Sequence, residues 1–266
     1  MYLQLGWRNI WRNPRRTTVI VTAVVIGVWS MIFLGALMRG VADQMVRNGI
    51  ATLTGHIQIH QMGYRSDPVI ENSIEAPETA EHALTGLLPP NARWTARVRV
   101  NGVVSNARHS DGITFVGIDP AREAEVSFVK PAIVEGRYLA EKDEYGIVIG
   151  QALAEKFETQ IGRKLVVMSQ DTNEEIASRA FRIVGIFRAE MEAIETQFVF
   201  VTLPAAQQML SLHQGISEIS ILLPSREQGD RVAESLRKAM PAELEVHTWQ
   251  QLLPMVTAVL TMYDSF

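Results

Sequence analysis

Residues Thr17 to Met38 form an unbroken run of 22 uncharged, mostly apolar residues. A hydrocarbon core needs roughly 20 apolar helical residues to span it, so the run is long enough to cross a bilayer. Four arginines, Arg8, Arg12, Arg15 and Arg16, lie just ahead of it. Basic residues keep the adjoining end of a span in the cytoplasm, which predicts that everything after Met38 sits outside the cytoplasmic membrane. A cleaved signal has a shorter apolar region, about 7–15 residues, followed by a small-x-small site. Gly40-Val41-Ala42 resembles such a site but follows Arg39 and a run that is too long. The segment is read as an anchor.

The flanks extend this reading. Leu3, Trp7, Ile10 and Trp11 recur at helical spacing, with Arg8, Asn9 and Arg12 on another face, which predicts an interfacial amphipathic segment over 1–16. Proline loses no needed donor at a first helical position, so Asn13-Pro14 is expected to open the membrane helix over 17–38. Ala23 with Gly27, and Ala36 with Gly40, are small-xxx-small pairs at which another helix can approach closely. The stripe Val41, Ala42, Met45, Val46 and Ile50 continues helical spacing beyond Arg39, with Gly49 as the expected cap. It predicts a stalk helix over 39–50 able to transmit motion.

Charge and composition narrow the partners. The first 39 residues hold five arginines and no acid, and the whole chain carries −4, leaving −9 on residues 40–266. An acidic domain behind a basic membrane-proximal segment argues against nucleic acid. The chain has no cysteine, which excludes disulfides, thiolate metal sites and cysteine nucleophiles. More than 200 residues are enough to fold by core burial alone.

Beyond the stalk, two stretches share a pattern. Strand Gly55–His60, helix Glu78–Leu88 and strand Arg93–Val104 make one βαβ-type unit. Strand Glu218–Leu223, helix Arg226–Met240 with Val232, Ala233, Leu236 and Met240 on one face, and strand Glu243–His247 make the other. Together they predict an α+β, ferredoxin-like split βαβ sheet with helices on one side, over 51–127 and 213–248. Strand Ile113–Ile118 is expected to join it. Between them, 128–212 reads as an inserted β-rich part: strands Gly146–Ile149, Lys164–Met168, Phe181–Phe187 and Gln197–Val201, and helix Gln151–Glu158.

A search for chemistry finds little. There is no P-loop, H-E-x-x-H, G-x-S-x-G or EF-hand spacing, so an anchored hydrolase has no constellation to work with. His56 and His60 share a strand face but stand roughly 13 Å apart at 3.3 Å per residue, too far to chelate one ion. They are read as solvent-facing. The carboxylates Glu71, Glu75, Glu78 and Glu81, and Glu190, Glu192 and Glu195, fall in loops and helix starts, where acids are favoured without a metal. Residues 67–77 read as an exposed loop. No catalytic, cofactor or metal residue is expected.

The order of motifs is similar to a known family. Trp7-Arg8-Asn9-Ile10-Trp11-Arg12-Asn13-Pro14-Arg15-Arg16-Thr17 resembles the RN-x-x-RN-x-x-RT opening of permease subunits of MacB-like and lipoprotein-releasing (LolC/LolE-like) ABC transporters, in the FtsX-like permease superfamily. Glu135-Gly136-Arg137-Tyr138, Gly146-Ile147-Val148-Ile149-Gly150, Phe181-Arg182-Ile183-Val184-Gly185-Ile186-Phe187 and Thr248-Trp249 resemble that family's extracytoplasmic motifs. The resemblance implies a porter-like part with an inserted Sabre-like part, four spans, and a second permease subunit, identical or not. It further implies a separate cytoplasmic ABC ATPase that binds the ATP, and mechanotransmission to extracytoplasmic work on lipoprotein, lipid or hydrophobic compounds. A periplasmic adaptor or carrier is a further possible partner, and a bacterial inner membrane the expected location. Residues 249–266 are too short for a complete span and read as the lead-in to a second one, so the chain is expected to be a fragment. The alternative is a single-pass anchored module that binds or senses an extracytoplasmic ligand or protein.

Overall fold

The computed structural model describes residues 13–264. The interfacial segment, with Arg8 and Arg12, lies outside them apart from its last residues. Helix α1, Pro14–Gly49, begins at the expected proline, and the Thr17 amide donates to the Asn13 carbonyl at 3.1 Å. Its 36 residues make roughly 54 Å at 1.5 Å per residue, well beyond a core of about 30 Å. An 18-residue window reaches a mean hydropathy of 2.4, and its side chains are exposed, as a lipid-facing helix requires. Ala23, Gly27, Ala36 and Gly40 are all exposed along it, and a Cβ added at Gly27 or Gly40 would meet nothing within 4 Å. A second helix, α9, spans Pro254–Asp264.

Residues 49–253 form a separate unit built on one ten-stranded sheet. Its strands are β1 (Ile57–Gln61), β2 (Arg93–Ser105), β3 (Ser110–Ile118), β4 (Ile133–Gly136), β5 (Gly146–Gly150), β6 (Lys164–Gln170), β7 (Ile176–Phe187), β8 (Phe198–Thr202), β9 (Glu218–Leu222) and β10 (Leu244–Thr248). Its helices are α2 (Pro77–Leu87), α3 (Pro120–Val126), α4 (Gln151–Lys156), α5 (Glu192–Gln197), α6 (Leu203–Met209), α7 (Gly229–Ala239) and α8 (Trp249–Leu252).

The strand order β10-β1-β9-β2, antiparallel throughout, is that of a split βαβ sheet. Alternation puts Ile57, Ile59, Ile219, Ile221 and Val246 on one face, over Ala80 and Leu84 of α2 and Val232, Ala233 and Leu236 of α7. Leu84 and Leu236 are wholly buried, each contributing roughly 1.5–3 kcal/mol by removal from water. The β2–β9 neighbours are interrupted by everything from β3 to β8. β3 pairs with β2 over nine positions and runs parallel to β8, so one sheet continues from the split βαβ part into the β-rich part.

The glycines of the sequence motifs are points of close backbone approach. Gly136 has φ +76°, and a Cβ there or at Gly185 would overlap a backbone carbonyl, of Val184 or of Arg137. At Gly150 it would overlap the Glu195 carbonyl. We expect Gly150→Ala to destabilise this unit by about 1–3 kcal/mol, the usual penalty of overpacking, read from the midpoint of chemical denaturation. The Arg137 guanidinium of the same motif set grips Asp143 in a two-pronged pair at 2.6 and 2.8 Å, which holds the Asp143 carboxyl below its ordinary pKa.

Two expectations, for residues 67–77 and for Gly49, need correction. Residues 67–77 are not a free loop: Ile70 and Ile74 are buried, and Ile74 exchanges backbone bonds of 2.7 and 3.0 Å with Ile216. Two isoleucines four residues apart pin a segment whose remaining residues read as polar. Glu195 stands in the first turn of α5, as expected of a helix start, and is buried there, its carboxylate accepting from the Ala152 and Ala189 amides at 2.9 Å each. Gly49 does not end the stalk, because its backbone stays right-handed helical and the chain continues into a π-helical turn.

Candidate functional site

That turn, Ile50–Thr54, is where α1 becomes sheet. Leu53 adopts φ +102°, and Gly55, at φ +66°, ends the turn by donating its N–H to the Ile50 carbonyl at 2.9 Å. A Cβ at Gly55 would stand 2.5 Å from Ser220 Oγ and 2.9 Å from the Ile221 carbonyl, so only glycine fits. The left-handed Leu53 is held by what it offers. Its carbonyl accepts from Arg97 Nη1 at 2.5 Å, Gln58 Nε2 at 3.1 Å and Ser220 Oγ at 3.4 Å. Three strands, β2, β1 and β9, each send one donor to a single backbone oxygen.

These donors occupy the sheet face opposite the apolar core. Register sets Glu245, His60, Glu218 and Arg97 in one row across β10, β1, β9 and β2, and His247, Gln58, Ser220 and Thr95 in the next. The face is polar but covered: Arg97, Glu218, Ser220, Gln58, His56 and His60 are all buried. Arg97 Nε and Nη2 donate to the two oxygens of Glu123 at 2.9 Å each, and Nη1 donates to Glu218 at 2.8 Å. Burial opposes the Arg97 charge, but Glu123 and Glu218 outweigh it and hold its pKa above the ordinary value. Glu218 is kept ionised in turn: Arg99 and Arg97 overcome its burial and pull its pKa down.

Short-range structure aims these groups. Asp119 caps α3 by accepting from the Ala121 and Arg122 amides, and Pro120 takes a first-turn position, bringing Glu123 onto Arg97. The Thr248-Trp249 motif starts α8 with a reciprocal capping box between Thr248 and Gln251, and the Trp249 amide donates to the His56 carbonyl at 2.9 Å. At the end of α8, Leu253 fills the space beside Gly49, 2.6 Å from where a Cβ would be. The arrangement has the chemistry of a mechanical joint: a buried charge-assisted clamp on a strained backbone turn.

The residues singled out from sequence fall on both sides of this joint. Arg15 and Arg16 sit exposed in the first turn of α1. The expected stalk stripe divides: Ala42, Val46 and Ile50 are buried at 2, 0 and 8% exposure, whereas Val41 and Met45 are half exposed. Four-residue steps keep the first three on one face. His56 and His60 are buried rather than solvent-facing. His56 Nδ1 accepts from the Leu223 amide at 3.1 Å, and His60 stacks on Tyr64 with centroids 5.1 Å apart. Among the described residues no cluster of acids and histidines could hold a metal ion. Sequence reading missed Arg97, Glu123 and Glu218. The available signals were the Asp119-Pro120 helix start and an arginine and a glutamate at opposing strand positions.

Residues 17–239 match the model of the MacB-like periplasmic core domain. The chain belongs to this MacB-like family. It is also similar to an uncharacterized ABC transporter permease of Methanocaldococcus jannaschii, 22% identical over 284 aligned positions covering 99% of this chain. The chain spans 65% of that protein's length. Among solved structures, the periplasmic region of MacB from Actinobacillus actinomycetemcomitans aligns with a TM-score of 0.52 at 13% identity, covering 80% of this chain and 98% of that one. The extracellular domain of YknZ, a noncanonic ABC-type transporter from Gram-positive bacteria, aligns with a TM-score of 0.51 at 14% identity, over 73% and 100%. At such identities these two likenesses speak for the fold alone. The MacB-like domain here is of ABC transporter permease type, carried behind one apolar helix that fits a membrane anchor.

Proposed function

We propose that this chain acts as the membrane subunit of a mechanotransmission ABC transporter. A separate cytoplasmic ATPase hydrolyses ATP; α1 carries the resulting displacement through the bilayer; the MacB-like domain performs extracytoplasmic work on lipoprotein, lipid or hydrophobic compounds. The N-terminus is cytoplasmic, held there by Arg8, Arg12, Arg15 and Arg16 in a bacterial inner membrane, and a second permease subunit completes the assembly. The observation that supports this reading best is the Leu53 joint. A helix that only tethered a binding domain would need no buried clamp where it meets the sheet, whereas one that moves the domain must not slip there.

The test is to isolate the tagged chain from its native membrane in mild detergent, identify the ATPase retained with it, and compare hydrolysis with and without the chain. Co-isolation with altered hydrolysis is the expected result. Absence of any ATPase would turn the assignment toward an anchored binding or sensing module. The exposed small residues of α1 supply a second check. We expect Gly27→Leu to fill the open space beside that position and cut recovery of the second permease subunit severalfold, while membrane insertion is unchanged. Undiminished recovery would remove Gly27 from the packing surface.

A further inference from the structure

We infer that His60 is a positioning residue of the joint: its neutral imidazole, protonated at Nε2, orients the Gln58 amide that holds the Leu53 carbonyl, and proton uptake by His60 loosens that hold. His60 Nε2 lies 3.1 Å from Gln58 Oε1, and Gln58 Nε2 lies 3.1 Å from the Leu53 carbonyl. A backbone carbonyl only accepts, so Gln58 must present its NH2 to Leu53 and its oxygen to His60. Nε2 of His60 is therefore the donor. Nδ1 faces a second acceptor, the Ser217 carbonyl, at the longer distance of 3.4 Å. A neutral imidazole has one N–H and cannot serve both. The shorter contact marks where the proton is, and Nδ1 is left as a lone pair opposite an oxygen.

A second proton would satisfy Nδ1 but put a charge on a ring that is only 4% exposed. The groups facing His60 come from every neighbouring element: Glu218 on β9 and the Ser217 carbonyl just before it, Arg99 on β2, Glu245 and His247 on β10, and Tyr64 and Arg65 just after β1. Burial is the largest influence and lowers the His60 pKa below 6.5; His247 and Arg99 act with it, and Glu218 and Ser217 oppose it without prevailing. The closed joint thus binds fewer protons than an opened one in which His60 meets water. Its stability is fully present above 6.5 and is lost as pH falls through the lower folded value. His56, on the same face, accepts a backbone N–H through Nδ1, so acid also acts there and the two rings must be followed one by one.

This inference deepens the mechanical reading and rests on it for any effect in transport. Its test reads only proton positions and local opening, so either idea can fail without the other. The full chain in detergent micelles, 15N-labelled at histidine and glutamine, is titrated from about pH 8 to about pH 5 by NMR, with amide exchange of residues 50–60 corrected for intrinsic rates. At the upper end His60 should show the Nε2–H tautomer, and it should titrate below 6.5. The Gln58 side-chain amide should shift with the same midpoint. Exchange over 50–60 should rise as the pH falls from 6.5 toward that midpoint and level off below it. In His60→Gln, which still offers a donor to Gln58 but does not titrate, the Gln58 shift should flatten. A His60 ring protonated at Nδ1, or charged at neutral pH, overturns the inference from the wild-type protein alone. So does a Gln58 response that survives His60→Gln.

Discussion

Arg97→Met should lower the unfolding free energy of the 49–253 unit by about 3–5 kcal/mol, because it strands two buried carboxylates without their shared counter-ion. Arg97 and Glu123 have no exposed side-chain surface and Glu218 has 1%, so solvent cannot make good the loss. Chemical denaturation of the full chain, followed by tryptophan fluorescence, reads the change. A loss below about 1 kcal/mol, the worth of an exposed pair, would mean that this face opens to water. The more informative variant replaces all three charges, Arg97→Met with Glu123→Leu and Glu218→Leu. Well-packed apolar replacements of a buried ion cluster are often neutral or stabilising, so most of the stability should return. The bond from Arg97 Nη1 to the Leu53 carbonyl does not return. Amide exchange at Gly55 should then stay fast although the sheet is stable, which separates the clamp's role at the turn from its role in the fold.

The second large effect is expected at Val46. Proline there removes a hydrogen bond from the interior of α1 and clashes with the preceding turn, at a local cost of about 3 kcal/mol or more. Residues 17–38 keep their apolar length, so insertion should be unaffected. With the chain free of native cysteine, single cysteines in the 49–253 unit can carry probes whose mobility is followed during ATP turnover. Val46→Pro should abolish the ATP-dependent response while leaving the partner ATPase bound. Val46→Ala is the control: it removes a wholly buried side chain but keeps the helix, and should retain the response. An unaltered response in the proline variant would show that α1 need not be continuous to pass motion on.

Most of the secondary structure was legible because alternation and helical spacing are local. Ile57 and Ile59, Ile219 and Ile221, and Val232, Ala233 and Leu236 announce their faces within a few residues. The joint was not legible, for a physical reason. Gln58, His60, Arg97 and Glu218 occupy the polar positions of alternating strands, and alternation says which face a residue takes without saying whether water reaches it. What covers that face is assembled from α3, the turn at Ile50–Thr54 and α8, which are far apart in sequence. The π-helical turn itself carried a misleading signal: Gly49 resembles a cap, but Gly55, six residues on, has the positive φ that stops the chain. The family's motif glycines were visible as motifs, while their purpose, close passage of one backbone over another, belongs to tertiary structure.

The register of β1 has a consequence for how the molecule is made. Its two neighbours are β9 and β10: Ile57 pairs with Ile221 and with Thr248. At roughly 5–20 residues per second of synthesis, the first strand emerges roughly ten to thirty seconds before either partner exists. During that interval an edge rich in isoleucine, with a histidine pair and an unclamped Leu53 turn, follows directly behind an apolar helix. The chain is thus most open to chaperones and proteases around β1, and it gains protection there only once β9 and β10 have been made.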